Sequence, residues 1–245
     1  EPLDADPGAA DRGAFLHRAL DRFLRDHPGP GPLPADALDR LLAIGRQVFG
    51  PALSRPAVWA FWWPRFERVA RWFIETEAGR RADLAGSRTE VKGKLTLVGP
   101  AGPFELTAKA DRIDLFHDGG LAIIDYKTGT LPTKREVELG FSPQLALEAA
   151  MAQAGAFDGV PPAPVGELAY WQLLGGDPAG RIDRLKVDGA ADSASAGLAR
   201  LIAAFDDENT PYLSQPNPDG APRHSDYDHL ARVKEWSVGG SGGEA

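Results

Sequence analysis

Nine residues, Leu121-Ala-Ile-Ile-Asp-Tyr-Lys-Thr-Gly129, constrain the fold more than any other stretch of the chain. Four apolar residues run into Asp125-Tyr126-Lys127, and the segment breaks at Gly129. A short apolar run closed by a turn residue reads as a buried strand. Side chains alternate along a strand, so Asp125 and Lys127 share one face and Tyr126 takes the other. Just upstream, Ala108-Lys-Ala-Asp-Arg-Ile-Asp114 adds two more carboxylates on what reads as the neighbouring strand, joined through a hairpin at Asp118-Gly119-Gly120. Carboxylates gathered in this way repel one another, and a divalent cation relieves the repulsion. The plainer alternatives are a salt bridge at a sheet edge for Asp125–Lys127 and a solvated turn for Asp-Arg-Ile-Asp. Both segments together, in this order, favour a site.

The rest of the pattern surrounds that strand with mixed structure. Ala9 to Arg25 reads as a helix burying Leu16, Leu20, Phe23 and Leu24, stopped at His27-Pro28-Gly29-Pro30. Further helices are expected over Ala35–Val48 and Arg55–Arg81, the latter kinked at Pro64 and carrying aromatic residues read as core. From Arg88 the period shifts to strands: Glu90–Val98, Phe104–Phe116 after a Gly99–Gly102 turn, and Leu121–Tyr126. A helix over Ser142–Ala154, a strand over Gly166–Leu174, an edge strand over Arg181–Val187 and a helix over Ala190–Phe205 follow. Ser225–Trp236 reads as a short helix or turn, and the Gly-rich end as disordered. Strands interleaved with helices predict an α/β fold, a mixed sheet with flanking helices. The expected divisions are an N-terminal helical region over 1–87, a core over 88–210 and a closing segment with a tail over 211–245.

Composition narrows the function. The chain has 245 residues, 43% hydrophobic and 25% charged, the balance of an ordinary globular protein. It contains no Cys, which excludes disulfides, thiolate zinc sites, thiol nucleophiles and cysteine-ligated iron–sulfur clusters. No apolar run approaches the roughly 20 residues that span a bilayer, so no membrane partner is expected. The acidic, Pro-containing start lacks the pattern of a secretory signal, and a cytoplasmic setting is expected. Because Glu1 replaces an initiator Met, the sequence is read as a piece of a longer protein. The net charge of −8 argues against capture of nucleic acid by bulk charge. Any basic groove must be local, drawn from residues such as Arg88, Lys92, Lys94, Lys134 and Arg181; composition leaves open whether they gather or scatter. No Walker A spacing is present, so ATP hydrolysis is not expected.

Asp111, then Asp125-x-Lys127, then Gln144 in the next helix resembles the PD-(D/E)xK nuclease core, and more narrowly the RecB-type nuclease domain. Asp125-Tyr-Lys-Thr-Gly129 matches its Asp-Tyr-Lys segment, Ala108–Asp114 its Gly-x-x-Asp-Arg-x-Asp segment, and Gly13-x-x-x-His17 its leading helix. The segment Tyr227–Trp236 adds a likeness to the C-terminal domain of AddB, a subunit of AddAB helicase–nucleases. The resemblance implies a restriction-endonuclease-like sheet core with an N-terminal helical arm. It implies a metal-dependent deoxyribonuclease, exonuclease in type, acting in double-strand-break repair. Mg²⁺ or Mn²⁺ would be held by Asp111, Asp125, the Tyr126 backbone carbonyl and His17. Lys127 would position or help deprotonate water and stabilise charge on the phosphate, and Gln144 would orient the site. The implied partners are a DNA strand fed from a duplex end and an AddA-like helicase. The alternative is a catalytically silent module of the same fold that binds DNA or a partner subunit.

Individual residues also have plainer roles. His17 borders a packed helix face and has Asp21 one turn away; Gln144 and Glu148 can bond to each other. Asp114 is expected to be structural, paired to Arg112 or Lys109. The sequence departs from the pattern at Glu148, where RecB-type domains have Tyr, and at Ala108, where they have Gly. With no iron–sulfur staple available, the chain ends are expected to join by packing of Tyr227–Trp236 against the first helices.

Overall fold

The motif segment forms the strand its pattern predicts, β3 (Leu121–Lys127), buried on both faces up to its last residue. The computed structural model describes residues 8–213, and the expectations for Ser225–Trp236 and the tail lie outside them. Strand β3 is the middle member of a five-stranded sheet, whose spatial order is also the chain order. The others are β1 (Leu84–Gly99), β2 (Gly102–Phe116), β4 (Val165–Leu173) and β5 (Gly180–Arg184). Adjacent strands are antiparallel except β3 and β4, which run parallel. A parallel pair needs a long crossover, and here it holds α4 (Lys134–Glu138) and α5 (Gln144–Gln153). The short α4 escaped the sequence reading although its start is written out: Thr133 and Glu136 form a reciprocal capping box.

Both sheet faces are covered, which is why β3 reads as a continuous apolar run rather than an alternating one. On one side α1 (Ala9–Asp26), α2 (Ala37–Phe49) and α3 (Trp63–Arg80) pack Leu20, Phe23, Phe49, Phe66 and Phe73 against Ile124, Tyr126 and Trp171. On the other, α5 brings Leu145, Ala149 and Ala152 onto Ile113, Ile123 and Leu168; α6 (Ala190–Phe205) adds Ala191. The predicted long helix over Arg55–Arg81 is interrupted. A π-helical turn at Val58–Trp62 precedes α3, and Pro64 lies in the first turn of α3. Proline has no N–H to give to the carbonyl four residues back, so the chain widens for one turn instead of kinking. The aromatic residues here are mostly core, with Phe61 and Trp59 left outside, the latter stacked on Trp63.

Charges are buried between α3 and the sheet. Arg112 donates to Glu77 Oε2 (2.7 Å) and Asp114 Oδ1 (2.6 Å), and all three are fully buried. Arg80 bridges Asp114 (2.6 Å) and Glu167 (2.7 Å). Asp114 is thus structural, paired to Arg112 rather than Lys109, and Lys109 pairs with Glu90. Strand β1 starts six residues earlier than its alternation suggests, because Leu84–Thr89 is fixed by pairing with β2 and not by its own pattern. Glu90 has a φ of 53°, rare outside glycine. On either side of it the strand faces reverse: Ser87 and Thr89 bond Asp114 and Asp21 on the helical side, whereas Val91 and Leu95 pack towards α5.

Candidate active site

The site forms where β2 and β3 part. Their ladder ends at Arg112↔Ile124, and the next N–H of β3 that faces β2 is taken by a side chain: Tyr126 N donates to Asp111 Oδ2 at 2.9 Å. Helix α1 reaches this point because Gly13 has no side chain; a Cβ there would lie 3.2 Å from Thr128 Oγ1. One turn further, on the same helix face, His17 Nδ1 stands 3.4 Å from Asp111 Oδ1, its ring edge-on to Tyr126. Asp21 does not partner His17; it binds Arg25 and Thr89.

Asp125 and Lys127 lie on the α5 side. Lys127 Nζ donates to Asp125 Oδ1 (3.0 Å) and Gln144 Oε1 (3.2 Å), and Gln144 Nε2 donates to Asp125 Oδ1 (2.7 Å). Gln144 Nε2 also reaches Glu148 Oε1 at 3.2 Å, so the local bond expected as the plainer alternative coexists with the site contacts. Beneath them Tyr170, the register partner of Asp125, presents its ring to the Lys127 ammonium at 5.8 Å. Gln172, partner of Lys127, ties down the Gly129 carbonyl at 2.5 Å and so fixes the turn that ends the motif.

Burial sets the electrostatics. Asp125 is pushed above the usual carboxylate range by desolvation, only partly offset by Lys127. Glu148 is buried among the same groups and is pushed up to about 8, with Oε2 unpartnered. Burial acts to lower His17, but its contact with Asp111 and the charges of Asp111, Asp125 and Glu90 outweigh this and raise it. These are the shifts expected of excess negative charge held away from water.

Sequence reasoning missed Glu90. His17, Glu90 and Asp111 each offer a ligand atom within 4.8 Å of the others. The signal was available in the hairpin. Glu90 stands nine residues before Gly99 and Asp111 nine after Gly102, so the turn sets the two opposite each other. Asp125 stands beside this trio with its carboxylate on Lys127 and Gln144. One imidazole nitrogen with surrounding carboxylate oxygens is a donor set that fits a hard or borderline divalent ion.

A family model described as the PD-(D/E)XK nuclease superfamily matches residues 1–219. The chain belongs to that superfamily. An uncharacterized protein of Rickettsia bellii (strain RML369-C) is 31% identical over 153 residues, 62% of this chain and 18% of its own length. Uncharacterized proteins of Rickettsia typhi (29% over 156 residues) and Rickettsia felis (30% over 156 residues) match similarly. The chain spans 18% of the length of each. A solved crystal structure, of SSO0001, covers 85% of both chains at 15% identity with a TM-score of 0.33, too slight a likeness to argue from. Among the described residues no helix is long and apolar enough to cross a membrane.

Proposed function

We propose that this PD-(D/E)XK chain is a divalent-metal-dependent deoxyribonuclease domain hydrolysing phosphodiester bonds, with residues 88–210 as its core. The observation that carries the reading is the meeting of two groups at one strand end: His17 with Asp111, and Lys127 with Asp125 and Gln144. Asp111, His17 and Glu90 would hold the ion, Mg²⁺ or Mn²⁺, beside Asp125 and the Tyr126 backbone. When bound, the ion polarises the phosphoryl oxygens and offsets the charge that builds on them. The chain does the rest. Lys127, with two N–H groups on Asp125 and Gln144, turns its third to the attacking water or the phosphate oxygen. Water forms the new P–O bond, its proton leaves to solvent through the site's carboxylates, and the departing sugar oxygen takes up a proton. Gln144 fixes the direction in which Lys127 points.

The finer setting extends this proposal. An exonuclease acting on a strand delivered by an AddA-like helicase, during double-strand-break repair in the cytoplasm, is supported by the AddB-like sequence features. It also fits the net charge of −8, since DNA fed mechanically needs less electrostatic capture. Relatives of which the chain spans 18% fit a nuclease module carried within a larger polypeptide. The test is cleavage of single-stranded DNA with Mn²⁺. Asp125→Ala and Lys127→Ala each eliminate cleavage, and Asp111→Ala also removes the Mn²⁺-induced rise in melting temperature. Cleavage by Lys127→Ala at the wild-type rate refutes the role of the ammonium. Binding of DNA without cleavage by the wild-type chain identifies a catalytically silent module.

A further inference from the structure

The site described above ends at Glu90 and Asp111, but the hairpin that carries them continues well past it. Beyond these residues the strand faces have reversed, so Lys92, Lys94, Thr107 and Lys109 lie together on the exposed outer side. Lys109 pairs with Glu90, which lies within ligand distance of His17 on α1 and of Asp111, so this side adjoins α1 and the candidate ion site. The face forms an open groove of about 760 Å³, whose other wall is the Gly155–Asp158 loop.

We propose that this groove is a track for the phosphodiester backbone of a single nucleic-acid strand, with Lys92, Lys94 and Lys109 as its phosphate contacts; the proposal rests on the nuclease reading and extends it. Three observations carry it. Lys92 and Lys109 are register partners, directly opposite each other on adjacent strands. Like charges so placed repel, and an anion seated between them turns that repulsion into binding. Lys92 and Lys94 are two residues apart on one strand, about 7 Å, the spacing of successive phosphates in an extended backbone. The row also begins two residues from Asp111, so a strand lying along it is led to the candidate ion site.

Lysines on an edge strand commonly serve to discourage edge-to-edge pairing, and that explanation does not fit here. The β1 edge is already covered: Lys94 N donates to Ala156 O (2.9 Å) and Asp158 N to Lys92 O (3.0 Å). Lys109, moreover, belongs to β2, an interior strand. The acids nearby do not close the groove. Lys94 pairs with Glu105 and Lys109 with Glu90, both largely exposed lysines whose pairs are weak. Asp158 is the one carboxylate among the groove's lining residues, and Lys92 has no ion-pair partner among the described residues. Phe157, the one aromatic among the groove's lining residues, is buried in the core, so the exposed lysines contact backbone phosphates and do not stack on bases.

The experiment measures binding of a fluorescein-labelled oligothymidylate to the whole chain in EDTA, by anisotropy, over a range of salt concentrations. For single strands each phosphate contact contributes about 0.7 to the slope of log K against log salt. The Lys92→Ala/Lys94→Ala/Lys109→Ala variant loses about 2 from that slope and binds at least tenfold more weakly at low salt. Its melting temperature is measured alongside to show that it folds, and Lys92→Ala alone loses about 0.7. Lys92→Arg restores the wild-type slope. Wild-type binding that is undetectable, or a slope unchanged in the triple variant, overturns the track. A duplex of the same length that binds more tightly than the strand overturns the single-strand assignment. Absent cleavage by the wild-type chain in Mn²⁺, with this binding and its lysine dependence intact, marks failure of the nuclease reading alone.

Discussion

Replacing Glu148 by Gln tests the electrostatics of the site without a metal. Glu148 is 3% exposed and held up to about 8, against an ordinary value of 4.5. An acid raised in the folded state keeps its proton where the unfolded chain has already lost it. Its contribution to stability is fully present below about pH 4.5 and is lost as the pH rises through about 8. At pH 7 the wild type has crossed about 2.5 pH units of that window at about 1.36 kcal/mol each, a loss of about 3 kcal/mol. Gln at 148 cannot ionise and keeps an oxygen to accept from Gln144 Nε2. The variant should match the wild type near pH 4.5 and exceed its stability by about 2–3 kcal/mol at pH 7. Urea melts in EDTA read this as a midpoint gap of about 1 M opening with pH. The raised values of Asp125 and His17 act in the same direction but are common to both proteins. A gap that does not change with pH, or a variant less stable than wild type at pH 7, refutes the burial argument.

Other perturbations separate the site from its support. Arg112→Met strips Glu77 and Asp114 of the guanidinium they share; the expected cost is about 3–5 kcal/mol, seen as a lower melting temperature. Gly45→Ala places a Cβ 2.2 Å from the Phe66 ring at the α2–α3 crossing, costing about 1–3 kcal/mol by denaturant melts. Gly13→Val lifts α1 off Thr128, and calorimetry should show Mn²⁺ affinity falling about tenfold while the metal-free melt changes little.

What the sequence disclosed was local. The apolar run into Asp125-Tyr126-Lys127 specified a buried strand with its charges at one end, and the Gly99–Gly102 turn specified the hairpin. The α1 face at Leu16, Leu20, Phe23 and Leu24 is the buried one. What it withheld depended on distant partners. Glu77, Arg80 and Glu167 acquire meaning only when α3 lies over the sheet, because their contacts with Arg112 and Asp114 span long stretches of chain. Glu90 needed both the hairpin register and the reversal of faces at its own backbone. The π-helical turn before Pro64 was hidden because a kink and a widened turn both accommodate the carbonyl that proline leaves without a donor.

The Glu77–Arg112–Asp114–Arg80 seam has a consequence for how the molecule breathes. Helix α3 and the sheet cannot slide apart by degrees, since any opening there strands several ions in a poorly solvating gap at once. His17 belongs to the helical side of that seam and Asp111 to the sheet side. An ion gripping both therefore cannot tighten one part alone: its binding energy should reach the whole 8–213 body as a single cooperative melting event, and its loss should loosen the same body together.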